Sequence, residues 1–120
     1  MKVVRFAIDR KVKYGILNNQ SIQAIEDKPF RHIKPADHHY QLSEVKLLSP
    51  CTPSKIVAVG LNYRSHAAEI SAPIPDAPLL FLKPSTAMIG PEDNIIHPEA
   101  STRVDYEGEL AVVIKKAVWR

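Results

Sequence analysis

Two pairs of residues could carry chemistry in this sequence. Glu107 and Glu109 stand two apart in Asp105-Tyr106-Glu107-Gly108-Glu109-Leu110, and His66 and Glu69 stand three apart in Asn62-Tyr63-Arg64-Ser65-His66-Ala67-Ala68-Glu69. Alternate residues of an extended strand share a face, with Cα atoms about 6.5–7 Å apart, so the two glutamates are expected side by side. Residues 103–113 alternate accordingly, with Val104, Tyr106, Gly108, Leu110 and Val112 on one side and Asp105, Glu107, Glu109, Ala111 and Val113 on the other. Both faces turn apolar toward the C-terminal end, which predicts cover on both sides and puts the carboxylates at the mouth of a buried layer. Adjacent anions there need a proton or a cation. No His or Cys accompanies them, so their hard oxygens suit Mg²⁺, Mn²⁺ or Ca²⁺ rather than Zn²⁺, and Gly108 allows close approach. A bare Glu-x-Glu is more often an exposed edge strand with solvated carboxylates, so the spacing alone is a weak signal.

For His66 and Glu69 the surrounding residues are helix formers, and Asn62 is suited to cap the start. One to two helical turns place the pair on one face, where the carboxylate orients the imidazole and raises its basicity, as a general base requires. A partly exposed His–Glu surface pair has the same spacing. The preceding run Lys55-Ile56-Val57-Ala58-Val59 reads as a strand buried on both faces, and a helix just after such a strand is a frequent place for catalytic groups.

The elements that must hold these pairs follow from the rest of the chain. Residues 3–8 and 12–17 are rich in β-branched and aromatic side chains and flank the polar Asp9-Arg10-Lys11, while Asn18-Asn19-Gln20 precedes residues 21–25; together they predict a three-strand meander. Residues 27–41 read as a loop containing His32, His38 and His39 without a carboxylate or thiolate at ligand spacing, and residues 42–48 as a short strand. Pro50 and Pro53 bracket a linker, and eight of the ten prolines lie from Pro50 to Pro98. Pro73, Pro75 and Pro78 exclude helix there, and Leu79-Leu80-Phe81-Leu82-Lys83 reads as another buried strand.

Composition bounds the function. With 120 residues, one modest domain or a domain and a fragment is expected. The net charge is +3, but residues 1–50 hold nine Lys/Arg against five Asp/Glu, and residues 51–120 hold seven against eight. The basic excess thus lies away from both candidate pairs, and no basic cluster is interleaved with aromatics, which argues against nucleic acid. No apolar run is long enough to span a bilayer and no signal peptide opens the chain, so neither membrane association nor secretion is expected and a cytoplasmic location is. The single Cys51 forms no internal disulfide and no thiolate metal cluster.

Three motifs in order, Gly60-x-Asn62-Tyr63-x-x-His66-x-x-Glu69, Phe81-Leu82-Lys83-Pro84 and Asp105-Tyr106-Glu107-x-Glu109-Leu110, closely resemble the fumarylacetoacetate hydrolase family, and the resemblance runs from about Val3 to Ile114. It implies a mainly β, mixed α/β architecture in which residues 51–120 begin a rolled β-sheet or barrel, residues 1–50 form a small N-terminal β module, and the protein is a homo-oligomer, usually a dimer. It implies Mg²⁺ or Mn²⁺ on Glu107 and Glu109, a catalytic dyad of His66 and Glu69 on a mobile lid, and Lys83, Tyr63 and Arg64 at the substrate. The implied substrates are small 2-oxo or 1,3-dioxo carboxylic acids, converted through an enolate by C–C hydrolysis, decarboxylation or isomerisation, in the manner of fumarylacetoacetate hydrolase and 2-hydroxyhepta-2,4-diene-1,7-dioate isomerase. The family's third carboxylate ligand, an Asp, lies beyond the Glu-x-Glu strand and past Arg120, so the barrel is expected to be incomplete and turnover by this chain alone weak. The competing expectation is a truncated, non-catalytic remnant that associates through its β surfaces.

Overall fold

Strand-forming sequence dominates the computed structural model, which describes all 120 residues except Arg31, Val118 and Arg120. The fold is mainly β, with one short α-helix, and its strands form two open antiparallel sheets rather than a closed barrel among the described residues. Two compact units can be distinguished, Met1–Cys51 with Gly90–Arg120, and Thr52–Ile89.

In the first unit, β1 (Lys2–Ile8), β2 (Lys11–Asn18), β3 (Ser21–Ile25), β4 (Pro35–Gln41) and β5 (Lys46–Leu48) form a sheet of order β4-β3-β2-β1-β5. The expected meander of three strands is present. Asp9 and Arg10 both adopt positive φ, 50° and 61°, between the paired residues Ile8 and Lys11. Two left-handed residues in a two-residue loop match the right-handed twist of a hairpin. Gly15 is required where the strands approach closely, because a Cβ there would collide with Ile22 Cγ2 and lie 2.7 Å from the Gln23 carbonyl oxygen.

Residues 35–41, read from sequence as loop, are instead β4. Its residues Tyr40 and His39 pair with Ile22 and Gln23, and the ladder shifts register between Gln23 and Ile25. Polar side chains masked a strand whose apolar anchor is the single buried Tyr40. The expected strand over residues 42–48 is divided into a 3₁₀ turn, Leu42–Glu44, and β5. Phe6, Ile22, Ala24 and Tyr40 form the buried core, with Val4, Ile8, Leu17 and Leu47 packed against it. The rings of Phe6 and Tyr40 meet edge to face at 5.3 Å.

A turn at Gly90–Asp93 is tied to β5 by one carboxylate. Asp93 Oδ2 accepts the Gly90 N–H at 2.8 Å and Oδ1 lies 2.8 Å from Lys46 Nζ. The Lys46 ammonium, and then the Gly90 amide, hold the Asp93 carboxyl below its ordinary value. The sign follows from this lowering: the stabilisation is complete above the unfolded carboxyl value near 3.9, and is lost as pH falls below it through the folded value. Asp93→Asn is expected to remove this part of the acid sensitivity, leaving a flatter dependence of the thermal midpoint below about pH 4. An unchanged acid limb would show that the contact contributes nothing measurable.

The second unit contains β6 (Ile56–Gly60), α1 (Arg64–Glu69) and β7 (Leu79–Lys83), with β6 and β7 paired antiparallel from Ile56–Lys83 to Gly60–Leu79. Both strands were expected from sequence, but not their exposure. Every residue of β7 is exposed, as is Val57, because a two-stranded sheet offers no second layer to cover Leu79-Leu80-Phe81-Leu82. Residues 103–113, expected as a buried strand, form no regular secondary structure and no ladder pairing, and Tyr106 and Leu110 are almost fully exposed. Alternation alone does not make a strand where no neighbouring strand takes up its N–H and C=O groups. No helix among the described residues is long and apolar enough to cross a membrane.

Candidate active site

At the end of β6 the chain turns sharply through Leu61, whose φ of 50° is left-handed and unusual for a branched, non-glycine residue. The turn delivers α1, six residues long, which opens at Tyr63 in extended conformation and closes at Ile70. Asn62 therefore lies one residue before the cap, and Tyr63 takes the cap position with no side-chain cap bond, correcting the expected Asn cap. Ala67 N–H donates to the Tyr63 carbonyl and Ile70 N–H to the His66 carbonyl. Ala67 is the buried residue of the helix, so its neighbour His66 is half-buried while Tyr63, Arg64 and Glu69 are exposed. His66 and Glu69 thus lie on one short helix at the expected spacing, which exits through Ser71 at a second positive φ of 55°.

A cavity of about 270 Å³ opens at this corner of the second unit. It is lined by Gly60, Leu61, Asn62 and Arg64 from the β6–α1 turn and by residues 74–79, the proline loop with Leu79. Asp76 was legible in the sequence only as part of a non-helical loop. The signal that could have singled it out is a charged residue flanked by prolines, which fix the backbone on both sides.

Lys83 is not gathered with this group. It pairs with Ile56 at the opposite end of the ladder from Gly60, four residues away, or about 13 Å along the strand. Its ammonium lies 5.7 Å from the Phe81 ring centroid.

Glu107 and Glu109 belong to the other unit and are exposed in a segment without regular secondary structure. Nothing lies within 4 Å of a Cβ added at Gly108, so the close approach expected there is not made in this structure. In kind, two carboxylates two residues apart fit a hard divalent cation; in number they leave most of its coordination to water. Among the described residues no group of three or more His, Cys, Asp or Glu is assembled that could hold a metal ion.

Comparison with known proteins places these motifs. A family model described as fumarylacetoacetate (FAA) hydrolase C-terminal matches residues 55–120, and one described as Rv2993c-like, N-terminal matches residues 1–50. An uncharacterized protein of Archaeoglobus fulgidus is 64% identical over 73 residues, 61% of this chain and 29% of that protein. A mitochondrial oxaloacetate tautomerase of Bos taurus is 52% identical over 75 residues, 62% of this chain and 24% of that protein. The chain therefore spans less than a third of the length of either relative. The crystal structure of 5-carboxymethyl-2-hydroxymuconate delta-isomerase from Mycobacterium smegmatis superposes with a TM-score of 0.62 at 32% identity, covering 74% of this chain and 35% of that one. With more than half of its residues matched by the family model, this chain belongs to the fumarylacetoacetate hydrolase family.

Proposed function

We propose that this chain supplies part of the catalytic apparatus of an enzyme that converts small 2-oxo or 1,3-dioxo carboxylic acids through an enolate. The observation that carries the reading is the β6–α1 corner, where Asn62 and Arg64 line a cavity on the segment that also bears His66 and Glu69. Relatives named as a tautomerase of oxaloacetate and as a muconate isomerase support enolate chemistry, by isomerisation, decarboxylation or C–C hydrolysis.

In this reading the His66 ring nitrogen takes a proton from the substrate carbon next to the carbonyl and returns it elsewhere, or activates a water. Glu69, one turn along, orients the imidazole. Arg64 offers a guanidinium to the substrate carboxylate and Tyr63 a hydroxyl, with Lys83 a further cation in the same role. Glu107 and Glu109 would hold Mg²⁺ or Mn²⁺, or Ca²⁺, and such an ion would supply Lewis-acid polarisation of a 2-oxo group, which favours its enolate.

The test is the keto–enol tautomerisation of oxaloacetate by the 120-residue chain with Mg²⁺ or Mn²⁺ added. A slow, metal-stimulated rate is expected, falling to the uncatalysed background in Glu107→Gln/Glu109→Gln. A rate indifferent to both metal and substitution would overturn the assignment of the carboxylates.

The exposure of every residue of β7 favours a second reading, in which the chain is a non-catalytic family remnant that associates through its β surfaces, with a further copy of itself as the first partner to consider. Long apolar strands with unpaired edges are templates for pairing. Absence of any metal-dependent rate, together with self-association in sedimentation, would favour this second reading.

A further inference from the structure

On the sheet of the first unit, the Tyr40 ring gathers hydrogen-bond donors that no described carboxylate accompanies. The Lys13 ammonium, reaching from β2, donates to the Tyr40 hydroxyl and lies 4.9 Å from the centre of its ring. His38, two residues before Tyr40 on β4 and so on the same face, brings its own ring to 4.4 Å from it, centre to centre. Tyr40 is buried and Lys13 half-buried, which withdraws the ammonium partly from water. Lys34, Lys46 and Arg103 are each paired with a carboxylate, Glu26, Asp93 and Asp105; among the described residues Lys13 is not. Its hydroxyl partner is neutral and leaves the charge unopposed. Having accepted from Lys13, the Tyr40 hydroxyl keeps a proton of its own for which no described residue is the acceptor, and the His38 side chain is hydrogen-bonded to none of them. Lys11, two residues before Lys13, adds a second ammonium on the same face of β2.

We infer that Lys13, Tyr40 and His38 form a binding site for a small tetrahedral oxyanion, inorganic phosphate or the phosphate group of a small ester, carried wholly by the first unit. The ammonium supplies the charge. The Tyr40 hydroxyl fixes where that ammonium stands and donates its own proton, and a ring N–H of His38 supplies a further bond. Donors on three separate side chains suit an acceptor whose oxygens point in several directions. A planar carboxylate is matched best by the fork of a guanidinium, and no arginine belongs to this cluster, whereas a lysine serves phosphate as a point charge. Residues 1–50 carry nine Lys/Arg against five Asp/Glu, so the field around the module favours the approach of an anion. Binding here uses none of the residues assigned to the enolate chemistry, so the inference goes beyond the proposed activity and stands without it.

The test is titration of the full 120-residue chain with inorganic phosphate, glycerol 3-phosphate and acetate, at constant pH and ionic strength, followed by amide chemical shifts. Phosphate is expected to give saturating shifts centred on residues 11–14 and 37–41. Acetate is expected to bind about tenfold more weakly, since it leaves at least one donor unmet. Glycerol 3-phosphate binding as tightly as phosphate would show that the site admits esters, and weaker binding would assign it to the free ion; either result supports the inference. Lys13→Gln is expected to weaken phosphate by about tenfold or more, the worth of one hydrogen bond to a charged group. Tyr40→Phe, which keeps the ring, and His38→Gln are each expected to weaken it by about threefold or more. Lys28→Gln, at an exposed lysine outside the cluster, is expected to change nothing. Shifts that do not saturate, equal binding of acetate, or a loss in Lys28→Gln as large as in Lys13→Gln would each overturn the inference. So would unchanged binding in His38→Gln, an exposed position whose replacement leaves the buried core intact.

Discussion

Replacing His66 with alanine is expected to lower the metal-dependent tautomerisation rate by roughly 10²–10⁴-fold, the usual contribution of one positioned acid–base group. The argument is local. His66 sits half-buried on a six-residue helix and follows a left-handed turn at Leu61, so the backbone, rather than chance side-chain rotation, directs it. If the ring moves a proton in the transition state, kcat falls while KM changes little, because the carboxylate of the substrate is bound elsewhere. Glu69→Gln, which keeps the shape of the orienting side chain and removes its charge, is expected to cost less than His66→Ala. Equal rates for His66→Ala and the unmodified chain would remove His66 from the chemistry. A rise in KM with kcat preserved would recast it as a binding residue.

The largest effect on stability is expected at Phe6. Its side chain is fully buried and meets Tyr40 edge to face at 5.3 Å within a cluster formed, among the described residues, by Phe6, Ile22, Ala24 and Tyr40. Phe6→Ala removes a ring that neighbours anchored on separate strands cannot collapse to replace, a change that costs about 3–5 kcal/mol. The whole stability of a domain is about 5–15 kcal/mol, so the variant is expected to be marginal at 25 °C. The measurement is urea unfolding followed through the methyl signals of Ile22 and the ring of Tyr40, which report on the first unit alone. Because the chain holds two units, a probe of the whole molecule need not show a single transition. A loss below about 1 kcal/mol would show that the five-stranded sheet is held by its ladders rather than by its core.

The parts legible in the sequence were those set by local chemistry. The two hairpins of the meander follow from β-branched runs separated by turn residues, and α1 from helix formers after an apolar strand. β4 was not legible, since Pro35-Ala36-Asp37-His38-His39-Tyr40-Gln41 lacks the apolar alternation of a half-buried strand, and only its pairing with β3 makes it one. The opposite error concerned residues 103–113. Their alternation is real, but a strand is a relation between two segments, and no described segment pairs with this one. The same reasoning applies to β6 and β7, whose apolar composition predicted burial while their two-stranded sheet leaves Leu80 and Leu82 exposed. For the site, spacing gave His66 and Glu69 on a common helix. It could not place Asp76, from the proline loop, beside Arg64 in the lining of one cavity.

The order β4-β3-β2-β1-β5 has a consequence for how the first unit assembles in time. β1 to β3 are neighbours in sequence and join through two-residue turns, so their pairing closes almost no loop. β5 is different: it pairs with β1 through Arg5–Leu48, Phe6–Leu47 and Ala7–Lys46, contacts that span most of the module. Closure entropy grows with the logarithm of loop length, and only three residue pairs offset it, so β5 is the strand that arrives last and detaches first. Lys46, which anchors the Gly90–Asp93 turn, lies on that strand. An opening of β5 therefore frees a distant turn in the same event, and the two ends of this unit share one fluctuation although their sequences lie more than forty residues apart.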